Sequence, residues 1–241
     1  MTKTFVTGEV LTASDVNTYL VNNGYQYVGT RYYTSSGTFE KADPLGTGDI
    51  GLKAIEVELT GGGGGGGGGA AGGATDVSAA SGGSAGGYAR EFLLASALAA
   101  SETVTVGAGG SGGTGAAGTS GGTTSFGSFL SATGGSGGEI NTGAAPRMSR
   151  GAQAGLGSGG DLNSVGSTGQ PGHAFSGSFA TQDGGNGGDS AFSGGGRGVS
   201  TSGGTDGRYG SGGGGLTTDN AAGTVTGKNG GDGLVAIRCY V

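Results

Sequence analysis

Nine consecutive glycines, residues 61–69, put a stretch of bare backbone inside the chain. Such a stretch has no side chains to bury, and each glycine loses roughly 0.5–1 kcal/mol more than alanine on ordering. It orders only where its N–H and C=O groups bond to other backbone on every side; otherwise it is a solvated linker. The surrounding glycines carry a phase that separates these outcomes. In residues 107–118, Ala108, Ser111, Thr114 and Ala117 fall at every third position and glycines fill most of the rest. Thr133, Ser136 and Glu139, and then Asp183, Asn186 and Asp189, repeat the scheme with two glycines in each gap. Three residues per turn is the repeat of the polyproline II backbone, so an X-Gly-Gly run sets its side chains along one edge and leaves two faces bare for close approach. A linker has no use for that phase. Collagen is excluded, because glycine is not continuous at every third position and only 3 of 241 residues are proline. Residues 61–69, about 28 Å long at 3.1 Å per residue, have no edge side chain at all and are expected to be surrounded by neighbours. Residues 194–196 and 212–215 are shorter candidates for inner positions.

The rest of the chain brackets this part. Thr12-Ala13-Ser14-Asp15 reads as a capping box, and Val16, Tyr19 and Leu20 follow at helical spacing, which predicts a short helix near 13–22 that must dock on something. Strand signals follow: Arg31 to Thr34, a turn at Ser35-Ser36-Gly37, Thr38-Phe39, and residues 50–60, where Ile55, Val57 and Leu59 face one way and Glu56 and Glu58 the other. Residues 234–241 alternate similarly, with Val235, Ile237, Cys239 and Val241 as the inner set. The predicted organisation is an N-terminal segment with the short helix (1–28), a β-strand base (29–60), a glycine-rich polyglycine II domain (61–233) with inserted strands at 88–94 and 103–106, and a closing base strand (234–241). The fold class is therefore expected to be mainly β plus polyglycine II: a short N-terminal helix, a small β-sandwich-like base, and a glycine-rich bundle of packed polyglycine II helices.

Chemistry is sparse. Lys plus Arg number 11 and Asp plus Glu 17, a net charge of −6 without a basic stripe, which argues against a nucleic-acid partner. The one cysteine, Cys239, gives no intrachain disulfide framework and no multi-cysteine metal site. No run approaches the roughly 18 apolar residues of a membrane span, and the first residues lack a signal h-region, so neither membrane insertion nor general export is expected. The single histidine, His173, has no identifiable nucleophile and orienting group, and the Gly-rich matches to a dinucleotide fingerprint have no helix after them, so no enzyme activity and no cofactor are expected. Asp183, Asp189, Asp206, Asp219 and Asp232 lie beside glycines without the spacing of a calcium loop and are read as turn formers; no metal site is assigned. What remains is two less repetitive intervals, 139–157 and 161–182. Loops held by a rigid scaffold are the usual place for recognition, and the candidates there are Asn141, Arg147, Met148, Arg150, Gln170, His173, Phe175 and Phe179. If successive glycine runs alternate direction, the loop after 133–138 lies distal. The competing reading is that these loops only turn the chain.

Two stretches resemble a known family. Phe5-Val6-Thr7-Gly8-Glu9-Val10-Leu11-Thr12-Ala13-Ser14-Asp15-Val16-Asn17 resembles the opening of bacteriophage tail and minor-tail proteins. Ser36-Gly37-Thr38-Phe39, Ile55 to Thr60 running into the glycines, Thr103 to Gly110, and Gly230 to Val235 resemble the glycine-rich domain of phage tail fibres and tail tips. The detachable adhesins at the fibre tips of T-even-like phages are similar in organisation, although this chain carries its own strand-rich N-terminal part. The resemblance implies a virion tail-tip or tail-fibre protein, with host-receptor-binding loops at the candidates above. Phe5, Val10, Leu11, Val16, Tyr19 and Leu20 would attach it to tail-tip proteins, and fibre symmetry suggests a homotrimer. A purely structural tail subunit is the alternative, and an ice-binding or extracellular glycine-rich structural protein a more distant one.

Overall fold

The structure is a computed structural model, and it describes residues 24–73, 75–175, 182–219 and 223–241. In chain order its strands are β1 (Tyr27–Tyr33), β2 (Gly37–Glu40), β3 (Ala54–Thr60), β4 (Asp76–Ala80), β5 (Tyr88–Leu94), β6 (Ser101–Thr105), β7 (Thr124–Phe126), β8 (Leu130–Ala132), β9 (Ile140–Ala144), β10 (Arg147–Met148), β11 (Gly157–Ser158), β12 (Leu162–Ser164), β13 (His173–Ala174), β14 (Gln182–Asp183) and β15 (Leu234–Tyr240). Two five-stranded sheets, ordered β1-β15-β3-β5-β12 and β11-β8-β7-β6-β2, pack face to face as a base. Their shared core holds Ile55, Val57, Leu59, Leu93, Val235, Ile237 and Cys239 from the first sheet and Phe39, Val104, Phe126 and Leu130 from the second. The alternation of β3 and β15 puts these residues inside, and Phe39 meets Phe126 edge to face with ring centroids 5.8 Å apart. Burial also pushes the Cys239 thiol up to about 11, which keeps it protonated and inert.

β15 lies antiparallel beside β3, with Leu234 opposite Thr60 and Tyr240 opposite Ala54, so the two ends of the glycine-rich part are clamped together. On the outer side of this pair, Arg238 Nη1 donates to Glu56 Oε2 at 3.0 Å and Glu58 Oε1 at 2.8 Å, and Arg90 Nε donates to Glu56 Oε1 at 2.6 Å. Burial alone would raise the Glu56 pKa, but the hydrogen bonds from Arg90 and Arg238 outweigh it and hold the carboxyl below its ordinary value.

Beyond Thr60 the two-residue alternation gives way to a three-residue one. Every N–H of residues 61–69 donates to a backbone carbonyl, and over residues 61–68 the acceptors rotate among three neighbours. Gly61, Gly64 and Gly67 bond Gly87, Ser84 and Ser81; Gly62, Gly65 and Gly68 bond Gly122, Thr119 and Ala116; Gly63 and Gly66 bond Gly231 and Lys228. These three neighbours run antiparallel to it. Three parallel neighbours donate to its carbonyls: Gly135 and Gly138 to Gly62 and Gly65, Gly110 and Gly113 to Gly63 and Gly66, Gly213 and Leu216 to Gly64 and Gly67. Residues 61–69 are buried throughout, as are 81–87 and 210–218. Of the two shorter inner candidates, 212–215 is enclosed, whereas within 194–196 only Gly196 is buried. The enclosed position of 81–87 was not expected, because Ser81, Ser84 and Ala85 read as edge residues. Their small side chains fit inside, and Ser84 Oγ bonds the Ser136 carbonyl at 3.1 Å.

The expected fold class needs correction. Among the described residues the chain is nearly all strand and extended backbone in several antiparallel sheets, and the one helical turn is a 3-10 turn at Ala95–Ala97. The helix foreseen near 13–22 lies outside the described residues. Nor is the glycine-rich part a separate bundle of helices: it is interleaved with the strands of the base. It also contains two further small sheets, β4-β9 and β10-β13-β14, and lends β7, β8, β11 and β12 to the base. The physical reason is that extended backbone points its donors and acceptors outward, so every bond joins two segments.

A Cβ at Gly65 would sit 2.1 Å from the Ser111 carbonyl oxygen, with no side chain able to yield. Gly65→Ala is therefore expected to lower unfolding stability in urea by at least ~1–3 kcal/mol, whereas Gly223→Ala, with nothing within 4 Å of the added carbon, changes it by under about 0.5 kcal/mol. The depressed Glu56 pKa contributes stability that is present above the ordinary carboxylate pKa of about 4.3 and lost as pH falls through the lower folded value. Urea titrations over that acidic window are expected to show a steeper loss for the wild type than for Glu56→Gln.

Candidate functional site

The chain shuttles between two poles. It leaves the base along 61–69 and returns on 81–87, leaves along 107–114 and returns on 116–123, and leaves again from β8 along 133–139, as the directions of the hydrogen-bonded neighbours record. Later passes continue the alternation to β15. The turns at 95–100 and 127–129 therefore lie at the base, and those at 70–73, 114–116, 140–152, 171–175 and 200–204 lie at the far pole. Gly24 and Val241 sit at the opposite extreme, since Tyr27 and Tyr240 pair at the end of the base away from the glycine segments.

Polar side chains at the three-residue positions wall the lattice. A surface segment has N–H groups that point to no neighbouring backbone, and these find side-chain oxygens instead. Asp232 Oδ1 accepts from Gly109 N–H at 2.7 Å, Asn229 Oδ1 from Gly112 N–H at 2.9 Å, and the Thr226 and Thr114 hydroxyls meet at 2.9 Å, so residues three apart on one segment serve the next. Asp189 and Asn186 do the same for Gly195 and Gly198, and Asp206 for Asn229. These aspartates, expected as turn formers, are caps between segments. Their three-residue spacing was the available signal.

At the far pole β9 pairs with β4, and β10, β13 and β14 form the small three-stranded sheet. Val77, Ala79 and Ala174, with Ala145, make a small apolar cluster behind them. This arrangement gathers Asn141, Arg147, Met148, His173 and Phe175. Asn141 Nδ2 donates to the Met148 carbonyl at 2.8 Å, Met148 lies opposite His173 in register, and the His173 and Phe175 rings meet edge to face at 5.8 Å. His173 Nε2 is 3.9 Å from Asp183 Oδ2. The guanidinium of Arg147 lies against Gly143, where a Cβ would come within 2.5 Å of Nη2, and its Nε is buried without a hydrogen-bond partner among the described residues. Ser149 N–H donates to the Gly172 carbonyl and Gly172 N–H donates to Ser149 Oγ, which holds the two loops together. Met148 is 63% exposed and Phe175 37%, so the assembled cluster offers apolar side chains to solvent beside a cation.

The other candidates fall elsewhere. Arg150 is exposed just past β10. Gln170 lies on the lattice wall, where its Oε1 accepts from Asn186 Nδ2 at 3.1 Å, beside a polar groove of about 520 Å³ lined by Ser167, Asp189 and Arg197 among others. Phe179 and the attachment residues Phe5, Val10, Leu11, Val16, Tyr19 and Leu20 lie outside the described residues. Three polar members of the far pole were not read as site residues in the sequence: Ser78 and Thr142, whose hydroxyls meet at 2.9 Å across β4 and β9, and Asp183 beside His173.

Such a molecule belongs to a class in which a two-sheet base carries a hydrogen-bonded lattice of glycine segments and displays loops at its end. The chain is a member of the glycine-rich domain family, whose sequence profile matches residues 18–240. No curated protein matches it.

Removing the Asn141 amide breaks the tie between β9 and the Met148 carbonyl, worth about 1 kcal/mol. Asn141→Ala is expected to speed amide hydrogen exchange in residues 140–149 while residues 61–69 keep their protection.

Proposed function

We propose that this chain is a bacteriophage tail-tip or tail-fibre protein that binds a host surface receptor through the far-pole cluster of Asn141, Arg147, Met148, His173 and Phe175. The N-terminal segment attaches it to the tail tip, and no catalytic step is involved. The observation that carries this reading is polarity. The described chain starts at one extreme, while exposed apolar and cationic side chains sit at the other, separated by about 23 Å of seven-residue strands and about 28 Å of glycine lattice. A stiff spacer with loops at its tip suits contact with a distant surface, because the loops lose little further entropy on binding. The opening motif of the sequence gives the same direction of attachment. Arg147 and Arg150 would meet anionic groups of a bacterial envelope, and Met148 and Phe175 would supply apolar contact.

The test is a pulldown of the purified chain on susceptible and resistant bacterial cells. The wild type is expected to bind susceptible cells, and the double variant Met148→Ser, Phe175→Ser to bind at least tenfold less with an unchanged urea midpoint. Equal binding by the two proteins removes the far pole from the reading. No cell binding by the wild type leaves a purely structural tail subunit.

A further inference from the structure

The outer face of the first sheet does not look like the solvated face of an antiparallel sheet, which is ordinarily polar. Tyr25, Tyr27, Tyr32, Phe92, Leu94 and Leu162 are 53%, 54%, 66%, 41%, 47% and 52% exposed. All belong to this side. Tyr32 alternates with the buried Tyr33, Leu94 with Leu93, and Phe92 and Leu162 stand in register with the outward Glu56 and Arg90. The rings are continuous: Tyr27 meets Tyr240 at 6.1 Å, Tyr240 meets Phe92 at 5.9 Å, and Phe92 meets Tyr25 at 5.3 Å. Taking about 200 Å² for a whole aromatic side chain, the four exposed rings present roughly 400 Å² of surface. The two leucines bring the patch near ~600 Å², the upper end for a monomer and most of the ~800 Å² per partner of a stable interface.

Charge identifies the occupant. The ionic groups within the face are Glu56 and Glu58 against Arg90 and Arg238, paired with one another and neutral in sum. The chain as a whole carries −6, and its lattice walls mix Asp189, Asp206 and Asp232 with Arg197 and Arg208. On this face two identical molecules bring together no net charge and a surplus of aromatic surface. An oppositely charged partner gains little from these four groups, because among the described residues Glu56, Glu58, Arg90 and Arg238 already pair with one another. We propose that a second copy of this chain packs on this face, sheet against sheet, as an isologous dimer. The face runs along the side of the base, so the far pole stays uncovered in the pair. This proposal does not rest on the receptor reading.

Sedimentation of the full-length chain over a range of micromolar concentrations tests it. The wild type is expected at twice the chain mass. Tyr32→Asp and Phe92→Asp are each expected to weaken association at least tenfold, whereas Met148→Asp at the far pole leaves it unchanged. Tyr32 is two-thirds exposed, so its variant keeps the proposal testable should Phe92→Asp fail to fold. A monomeric wild type, a trimer, or a dimer indifferent to both face variants overturns the proposal. A monomer whose urea midpoint both variants lower independently of concentration also overturns it, because the face is then covered from within the chain.

Discussion

The structure depends on backbone approaching backbone with nothing in between. At Gly64, Gly65 and Gly66 in turn, an added Cβ would lie 2.0, 2.1 and 2.1 Å from the carbonyl oxygens of Ser136, Ser111 and Gly214, which belong to three different neighbours. One missing carbon per residue thus admits one neighbour per residue, and after three residues the directions repeat. Extended backbone has no internal partner for its N–H groups, and leaving one buried and unpaired costs about 1–3 kcal/mol. The central segment is consequently stable only when all its neighbours are present, and each neighbour needs its own glycines on the side it turns inward. The X-Gly-Gly phase of the outer segments is this requirement written along the chain.

A lattice built this way does not fix its own register, because sliding a segment by three residues restores most of its hydrogen bonds. The base removes that freedom. Ile55, Val57 and Leu59 alternate against Val235, Ile237 and Cys239 and hold β3 and β15 in one alignment, and a slip by one residue would turn their apolar side chains to water. At the junction Thr60 marks the change of period: its Oγ1 donates to the Gly87 carbonyl at 3.0 Å while Gly61 N–H donates to the same oxygen. Several strands of the base, β3, β6 and β8 among them, run directly into a glycine segment, so the sandwich sets the register for the lattice.

Legibility followed side-chain information. The three-residue phase, the buried position of 61–69 and the inner faces of β3 and β15 were all readable, because each is a periodic statement about where side chains are absent or apolar. The β4 to β14 strands inside the glycine-rich part, β5 and β6 apart, were not. They are two to five residues long, too short for an alternation to show, and tertiary pairing rather than propensity makes them strands. For the candidate site, placing Asn141, Arg147, Met148, His173 and Phe175 on recognition loops was possible from composition, but the pairing that unites them runs between β9, β10 and β13 and left no local trace. Gln170 looked like its companions, yet its amide is bonded to Asn186 on the wall.

That last contrast explains where binding chemistry has room in this fold. Along the walls, Asp189, Asn186, Asp206, Asn229, Asp232 and Thr119 each close a backbone N–H of the adjoining segment, so altering one leaves a donor unpaired. The enclosed segments tolerate only glycine, serine or alanine at most positions. The base needs its apolar alternation, and its outer face carries the paired Glu56, Glu58, Arg90 and Arg238. Turns at the far pole escape these demands. Once a chain has left the lattice, neither the three-residue phase nor the capping of a neighbour governs its side chains, and Met148 and Phe175 are large and exposed there for no reason the lattice supplies. A sequence can therefore change its loops at that pole without changing the framework that holds them, whereas at the walls chemistry and architecture use the same atoms.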